Sequence, residues 1–444
     1  MSQAVTDQPT AESVMRKVSL RLIPFMVLLY FVAFLDRVNV GFAALTMNKD
    51  LGLTATVFGN GAGIFFIGYF IFEVPSNVAL EKFGARMWIA RIMITWGIIS
   101  GLMALTRGAV SFYALRFLLG IAEAGFFPGM ILYLTYWFPS AYRAKIVGAF
   151  LLAIPISAII GAPLSTALLG TSILGLKGWQ SLFILEAFPA LVLGVVVLFF
   201  MTDRPEKAHW LTLAERDWLS RVLQAERKTR ESVHHFTLGQ ALMNPRVVLF
   251  GFMYFGIVIG LYGFSFWLPQ IIKGFGGLSN WQVGLITMIP SAFAAATMYL
   301  WGRHSDRTGE RVWHVFLPAI IGGISLAISG FLTGTPALAL VALTIGAMGI
   351  YAALPTFWTL PTAMLSGTAA AGGIALINSI GNLGGYFGTS FMGYLKDWTK
   401  SHTYGLIGLG ACLAMSGFLA LAMGHNRELE KSGIAELQPD ATAD

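Results

Sequence analysis

The stretches NVALEKFGAR (77–86) and GRHSDRTGER (302–311) are basic turns set 225 residues apart in a chain of 444. Each follows the second of a series of long uncharged runs. Of all residues 56% are apolar and 11% charged, against roughly 25% charged in a soluble protein. A bilayer-spanning helix needs about 20 mostly apolar residues. Twelve runs qualify: 20–46, 55–80, 87–106, 109–137, 145–169, 180–201, 247–272, 281–302, 312–333, 336–361, 370–395 and 403–424. The expected fold is therefore an all-α membrane protein of two six-helix bundles, parallel repeats related by an axis along the membrane normal.

The domain reading follows from charge. Residues 1–19 form a tail, 20–201 the first bundle, 202–246 a charged linker, 247–425 the second bundle and 426–444 a second tail. The start has no small-residue cleavage site after a short apolar core, so the first span reads as a retained helix. Within the linker, LTLAERDWLSRVLQAER (211–227) reads as an amphipathic helix on the membrane surface. His234 and His235 beside it lack companions for a metal site and read as solvated linker. Basic residues set the orientation. Arg16, Lys17, Arg21, Lys82, Arg86, Arg143, Lys145, Arg303, Arg307, Arg311, Arg427 and Lys431 share one side. Lys49, Arg107, Lys177, Lys273, Lys396 and Lys400 take the other. The excess places both termini in the cytoplasm of a cell (inner or plasma) membrane. The net charge of +7 is thus a topology signal rather than a nucleic-acid footprint. Cys412 is the one cysteine, so no intramolecular disulfide forms, and it reads as packing. No Gly-x-x-x-x-Gly-Lys loop, paired Cys/His motif or nucleophile elbow occurs. No cofactor, metal or enzymatic role is expected, and the chain is expected to act as a monomer in the lipid bilayer.

The turn GRHSDRTGER resembles the Gly-x-x-x-Asp-Arg-x-Gly-x-Arg loop of the major facilitator superfamily, with Gly302, Asp306, Arg307, Gly309 and Arg311 in place. The first copy keeps Lys82, Gly84 and Arg86 but has Asn77 for Gly and Glu81 for Asp. The resemblance implies a latch between cytoplasmic helix ends, formed by Glu81, Lys82, Arg86, Asp306, Arg307 and Arg311. RFLLGIAEAGFFPGMILYLTYWFP (116–139), DRVNVGFA in the first span and RAKIVG opening the fifth resemble the anion:cation symporter family, whose members take up organic anions. FEVPSN (72–77) leans towards the branch of tartrate and aromatic-acid permeases.

The residues also carry an argument of their own. Asp36 and Arg37 stand in the middle of the first span, and Arg116 and Glu123 are seven apart on one face of the fourth. A charge at the bilayer centre costs about 2.5–3.5 kcal/mol on insertion scales, so such groups turn to the bundle interior or to water. The four are expected to meet in one cavity. Two fixed ion pairs would hold helices together. An anion site whose acids bind protons would instead change charge during a cycle. The resemblance implies the second, with Asp36 and Glu123 carrying the coupling protons and Arg37 and Arg116 receiving the substrate carboxylate. The second half has no ionisable residue near the centre of a span, so its contribution must be neutral. Candidates are Gln270, Trp358 and the pair Asn378 and Asn382, four apart on the eleventh span, with Tyr69 on the first-half side. Trp267 and Phe357 read as pocket walls or packing aromatics. Glu73, Arg91 and Glu186 read as structural pairing or snorkelling groups. The function expected is import of a small organic carboxylate (a sugar acid, tartrate-like dicarboxylate or aromatic acid) by proton symport and alternating access. An organic-anion exchanger or exporter is the alternative.

Overall fold

The computed structural model describes residues 10–231, 244–332, 334–364 and 367–424. His234 and His235 lie outside the described residues, as does the second tail. The first half comprises α1 (Ala11–Leu51), α2 (Ala55–Phe83), α3 (Ala85–Leu102), α4 (Ala109–Glu123), α5 (Phe126–Thr135), α6 (Ser140–Leu151), α7 (Ala153–Leu168) and α8 (Gly178–Phe200). Helix α9 (Leu213–Glu231) occupies the linker. The second half comprises α10 (Pro245–Lys273), α11 (Asn280–Thr308), α12 (Val312–Phe331), α13 (Pro336–Met364), α14 (Gly367–Thr399) and α15 (Thr403–Ala422). Eleven stretches among the described residues are long and apolar enough to cross a membrane. The remaining expected span corresponds to α14, which is 33 residues long and interrupts its apolar run with Asn378 and Asn382.

Capping sets the ends. Thr10, Thr54 and Ser279 accept hydrogen bonds from backbone N–H groups in the first turns of α1, α2 and α11. Gly52, at φ 62°, closes α1 in the left-handed conformation. Two expectations shift. Helix α1 starts at Ala11 and so takes in residues 11–19, the second part of the expected tail. The fourth span is broken: α4 ends at Glu123, Gly125 adopts φ 82°, and α5 begins at Phe126. A Cβ at Gly125 would lie 2.4 Å from Ser76 Oγ, so α2 crosses where only glycine leaves room.

On the face away from the termini the two halves are pinned. Asp397 accepts hydrogen bonds from Ala55 N (3.2 Å) and Thr56 N (2.7 Å), placing an anion at the N-terminus of α2. A Cβ on Gly41 of α1 would meet Phe266 O of α10 at 2.8 Å, and one on Gly284 of α11 would meet Thr166 Oγ1 of α7 at 1.9 Å. The linker docks under the first half. Asp203 Oδ1 accepts from Arg86 N at the start of α3 (2.8 Å), Trp210 stacks on Trp137 (5.4 Å between centroids), and Lys17 pairs with Glu215 (2.9 Å).

Candidate functional site

The site is built around α1 and α10, the first helix of each half. Arg37 of α1 donates from Nη1 to Tyr262 Oη of α10 at 2.8 Å, and Nη2 forms an ion pair with Glu123 Oε1 of α4. Its Nε has no hydrogen-bond partner among the described residues. Arg37 and Tyr262 are 225 residues apart, the same offset as the two basic turns. They are therefore corresponding positions of the two repeats, meeting at the axis between them. Two walls surround the pair. Arg37 lies over the rings of Phe65 and Tyr69, with its Cζ 5.3 and 5.4 Å from the centroids.

A cavity of ≈ 30 Å³ opens beside Arg37, room for about two waters. The first half lines it with Tyr30, Arg37, Tyr69, Phe127, Leu151 and Ile154. The second half supplies Tyr254, Leu261, Tyr262, Leu354, Trp358, Asn378 and Asn382. A guanidinium, four phenols, two amides and an indole thus converge on one space between the halves, a chemistry suited to a small anion with a polar or planar remainder.

The four charges expected to share a cavity do not. Asp36 turns towards α3, accepting from Trp96 Nε1 (2.6 Å) and Ser100 Oγ (3.3 Å). The reason is helical geometry: neighbouring residues point about 100° apart, so Asp36 and Arg37 cannot face the same space. Arg116 is buried and donates to the backbone carbonyls of Gly61 (3.3 Å) and Ala62 (2.9 Å) on α2. Of the two arginines only Arg37 reaches the cavity. Glu123 stands behind it as its partner.

The neutral candidates also divide. Tyr69, Trp358, Asn378 and Asn382 line the cavity, whereas Gln270, towards the far end of α10, does not, and its Nε2 has no partner among the described residues. Phe357 stacks on Tyr254 and so backs the wall, whereas Trp267 donates to Thr389 O at 3.1 Å and packs edge-on against Phe58, neither of which lines the cavity. Arg91 lies 4.0 Å over the Trp88 ring. Glu73 and Glu186 neither snorkel nor form an ion pair among the described residues. Glu73 accepts from Asn378 Nδ2 at 2.6 Å, and Glu186 accepts from Ser165 Oγ at 2.6 Å.

The basic turns differ. In the second half Arg311 pairs with Asp306 (2.7 Å) and reaches Ser305 Oγ (2.9 Å), while Arg307 is exposed. In the first half Glu81 and Lys82 are exposed, and the Arg86 backbone is held by Asp203. Sequence reading passed over Tyr30, Tyr254 and Tyr262. Two signals were available: a phenol in mid-span needs a partner when buried, and adding the repeat offset to Arg37 lands on Tyr262.

Comparison with known proteins agrees with this architecture. The profile of the Major Facilitator Superfamily matches residues 26–389. A protein of Agrobacterium vitis named "Putative tartrate transporter" is 54% identical over 96% of this chain and 98% of its own. The "Quinolone resistance transporter" of Acinetobacter baumannii is 41% identical over 96% and 98%. Among solved structures, a D-xylose–proton symporter superposes with a TM-score of 0.72 at 16% identity, covering 92% of this chain and 99% of that one. The chain belongs to the Major Facilitator Superfamily and is a multi-pass secondary transporter.

Proposed function

We propose that the protein carries a small organic carboxylate into the cell together with protons, by alternating access around the Arg37 cavity. The observation that supports this most directly is the sharing of Arg37 between Glu123 and Tyr262 at the wall of a space between the two halves. While Glu123 is ionised it occupies the guanidinium. A proton on Glu123 cancels that charge and frees the guanidinium to take a carboxylate through its planar fork. Proton and anion then bind in concert. Asp36, one residue away and held by neutral donors, is the second coupling acid in this reading. The tartrate name of a 54% identical relative favours a hydroxylated dicarboxylate. In this reading both termini face the cytoplasm of the inner membrane, which the excess of basic residues on that side supports.

A thermal-shift screen of the purified protein against carboxylic acids, followed by uptake into proteoliposomes, tests the reading. L-Tartrate or a related acid should stabilise the protein and accumulate when the lumen is made alkaline. The quinolone-resistance name of another relative favours export on the same fold. Accumulation only with the gradient reversed would decide for that.

A further inference from the structure

Glu73 and Glu186 are the two buried acids that the reading above leaves without a role, and Glu73 is the one whose partner Asn378 lines the cavity. Glu73 lies on α2, one helical turn beyond Tyr69, and is 4% exposed. Its Oε1 accepts the Asn378 amide of α14 across the boundary between the halves, and its Oε2 has no hydrogen-bond partner among the described residues. The groups facing it are Tyr69 on its own helix, Arg37 on α1, Tyr254 on α10, and Asn378, Ser379 and Asn382 on α14. Arg37, the one cation among them, is already engaged by Glu123 and Tyr262. Arg37, Tyr69, Tyr254, Asn378 and Asn382 all line the cavity, so Glu73 stands directly behind its wall.

A bound anion touching Asn378 and an ionised Glu73 would place two negative charges on either side of one amide, with no second cation to separate them. Buried like charges at that spacing exclude one another. We propose that Glu73 is a proton-binding residue of the transport cycle, neutral whenever an anion occupies the cavity against Asn378. Its carbonyl oxygen then keeps the Asn378 amide in place, and its proton travels with the anion. Binding of the two is reciprocal: the anion favours the proton at Glu73 as much as the proton favours the anion. This rests on the carboxylate–proton reading above.

The test uses full-length protein in proteoliposomes, L-tartrate as probe, and simultaneous measurement of proton and tartrate flux. Glu73→Gln keeps an acceptor for Asn378 but carries no proton. It should exchange tartrate across the membrane while moving about one proton fewer per tartrate and losing part of the pH dependence of half-saturation. Glu73→Asp, which still titrates, should keep the parent's proton count with a displaced pH profile. An unchanged proton count and pH profile in Glu73→Gln overturns the assignment. If Glu73→Gln moves no tartrate at all, Glu73→Asp decides: a displaced profile supports the role and a superimposable one overturns it. Failure of the parent to move tartrate or any other carboxylate with protons would instead overturn the function proposed above, and this inference with it.

Discussion

The two halves repeat one helical plan and carry opposite chemistry. Asp36, Arg37, Glu73, Arg116, Glu123 and Glu186 are all buried in the first half. The second half answers with Tyr254, Tyr262, Trp358, Asn378 and Asn382 around the same cavity. A duplicated scaffold therefore does not require duplicated function. In the proposed proton-coupled cycle, the charges that gain and lose protons near one another all lie in the first half. Neutral donors and rings on the other half can move against them without uncovering a bare charge, whose burial is expensive. The contact where this difference is sharpest is Arg37 with Tyr262, corresponding residues of the two repeats.

The largest effect expected is at Arg37. Arg37→Ala leaves Glu123 buried without its partner, a loss on the order of 3–5 kcal/mol. Arg37→Lys should bind tartrate ten- to a hundred-fold more weakly by calorimetry, since an ammonium lacks the planar fork. Parent-like binding by both variants would reduce Arg37 to a packing partner and dissolve the contrast between the halves.

Glu123→Gln comes next. It should abolish tartrate accumulation driven by a pH gradient while sparing exchange in part; Asp36→Asn should impair accumulation as much or more. If both variants stay gradient-driven, the charges of the first half are structural.

Gly41→Ala probes the crossing of the halves rather than their chemistry. The new methyl group would press on the Phe266 carbonyl, and overpacking of this kind costs about 1–3 kcal/mol. A lowered melting temperature is expected, and an unchanged one would show that α1 and α10 can part without loss. Tyr262→Phe should weaken tartrate binding less than Arg37→Lys, by about 1 kcal/mol, because Arg37 retains Glu123. A larger effect would give the second half a greater share of anion recognition.

The smallest effect lies at the tether between α1 and α9. Burial pushes the Glu215 carboxyl up, but the Lys17 ammonium and the Thr212 backbone outweigh it and hold it below the ordinary glutamate range. The stability this adds is present above the unfolded glutamate pKa and is lost as pH falls through the lower folded value. Lys17→Ala should destabilise by about 0.2–1 kcal/mol at neutral pH and by less in acid. A difference that does not shrink in acid would mean that the stem of Lys17, rather than its charge, holds the linker.

Much of this was legible in the chain because burial in lipid is a strict filter. Uncharged runs of membrane length must become spans, and paired basic turns mark the repeat. The same filter flagged Asp36, Arg37, Arg116 and Glu123, since each must have a reason to be there. It could not say which way each one points. Asp36 and Arg37 are neighbours in sequence and diverge on the helix. Arg116, as apt an anion ligand by composition, is held by the Gly61 and Ala62 carbonyls. Glu73 read as a bland edge group because its partner, Asn378, lies 305 residues away.

The sequence by itself determined the twelve expected spans, their division around a charged linker, the concentration of mid-span charge in the first half and the kinship that these imply. Those are properties of composition and period, carried by each segment alone. Tertiary structure decided which arginine faces the cavity, that Asp36 and Arg116 turn away from it, that the fourth span breaks at Gly125, and that a tyrosine at the repeat-related position joins Glu123 as a partner of Arg37. Each of these depends on the rotation and approach of one helix against another, which the close packing of side chains between helices fixes and local sequence does not encode.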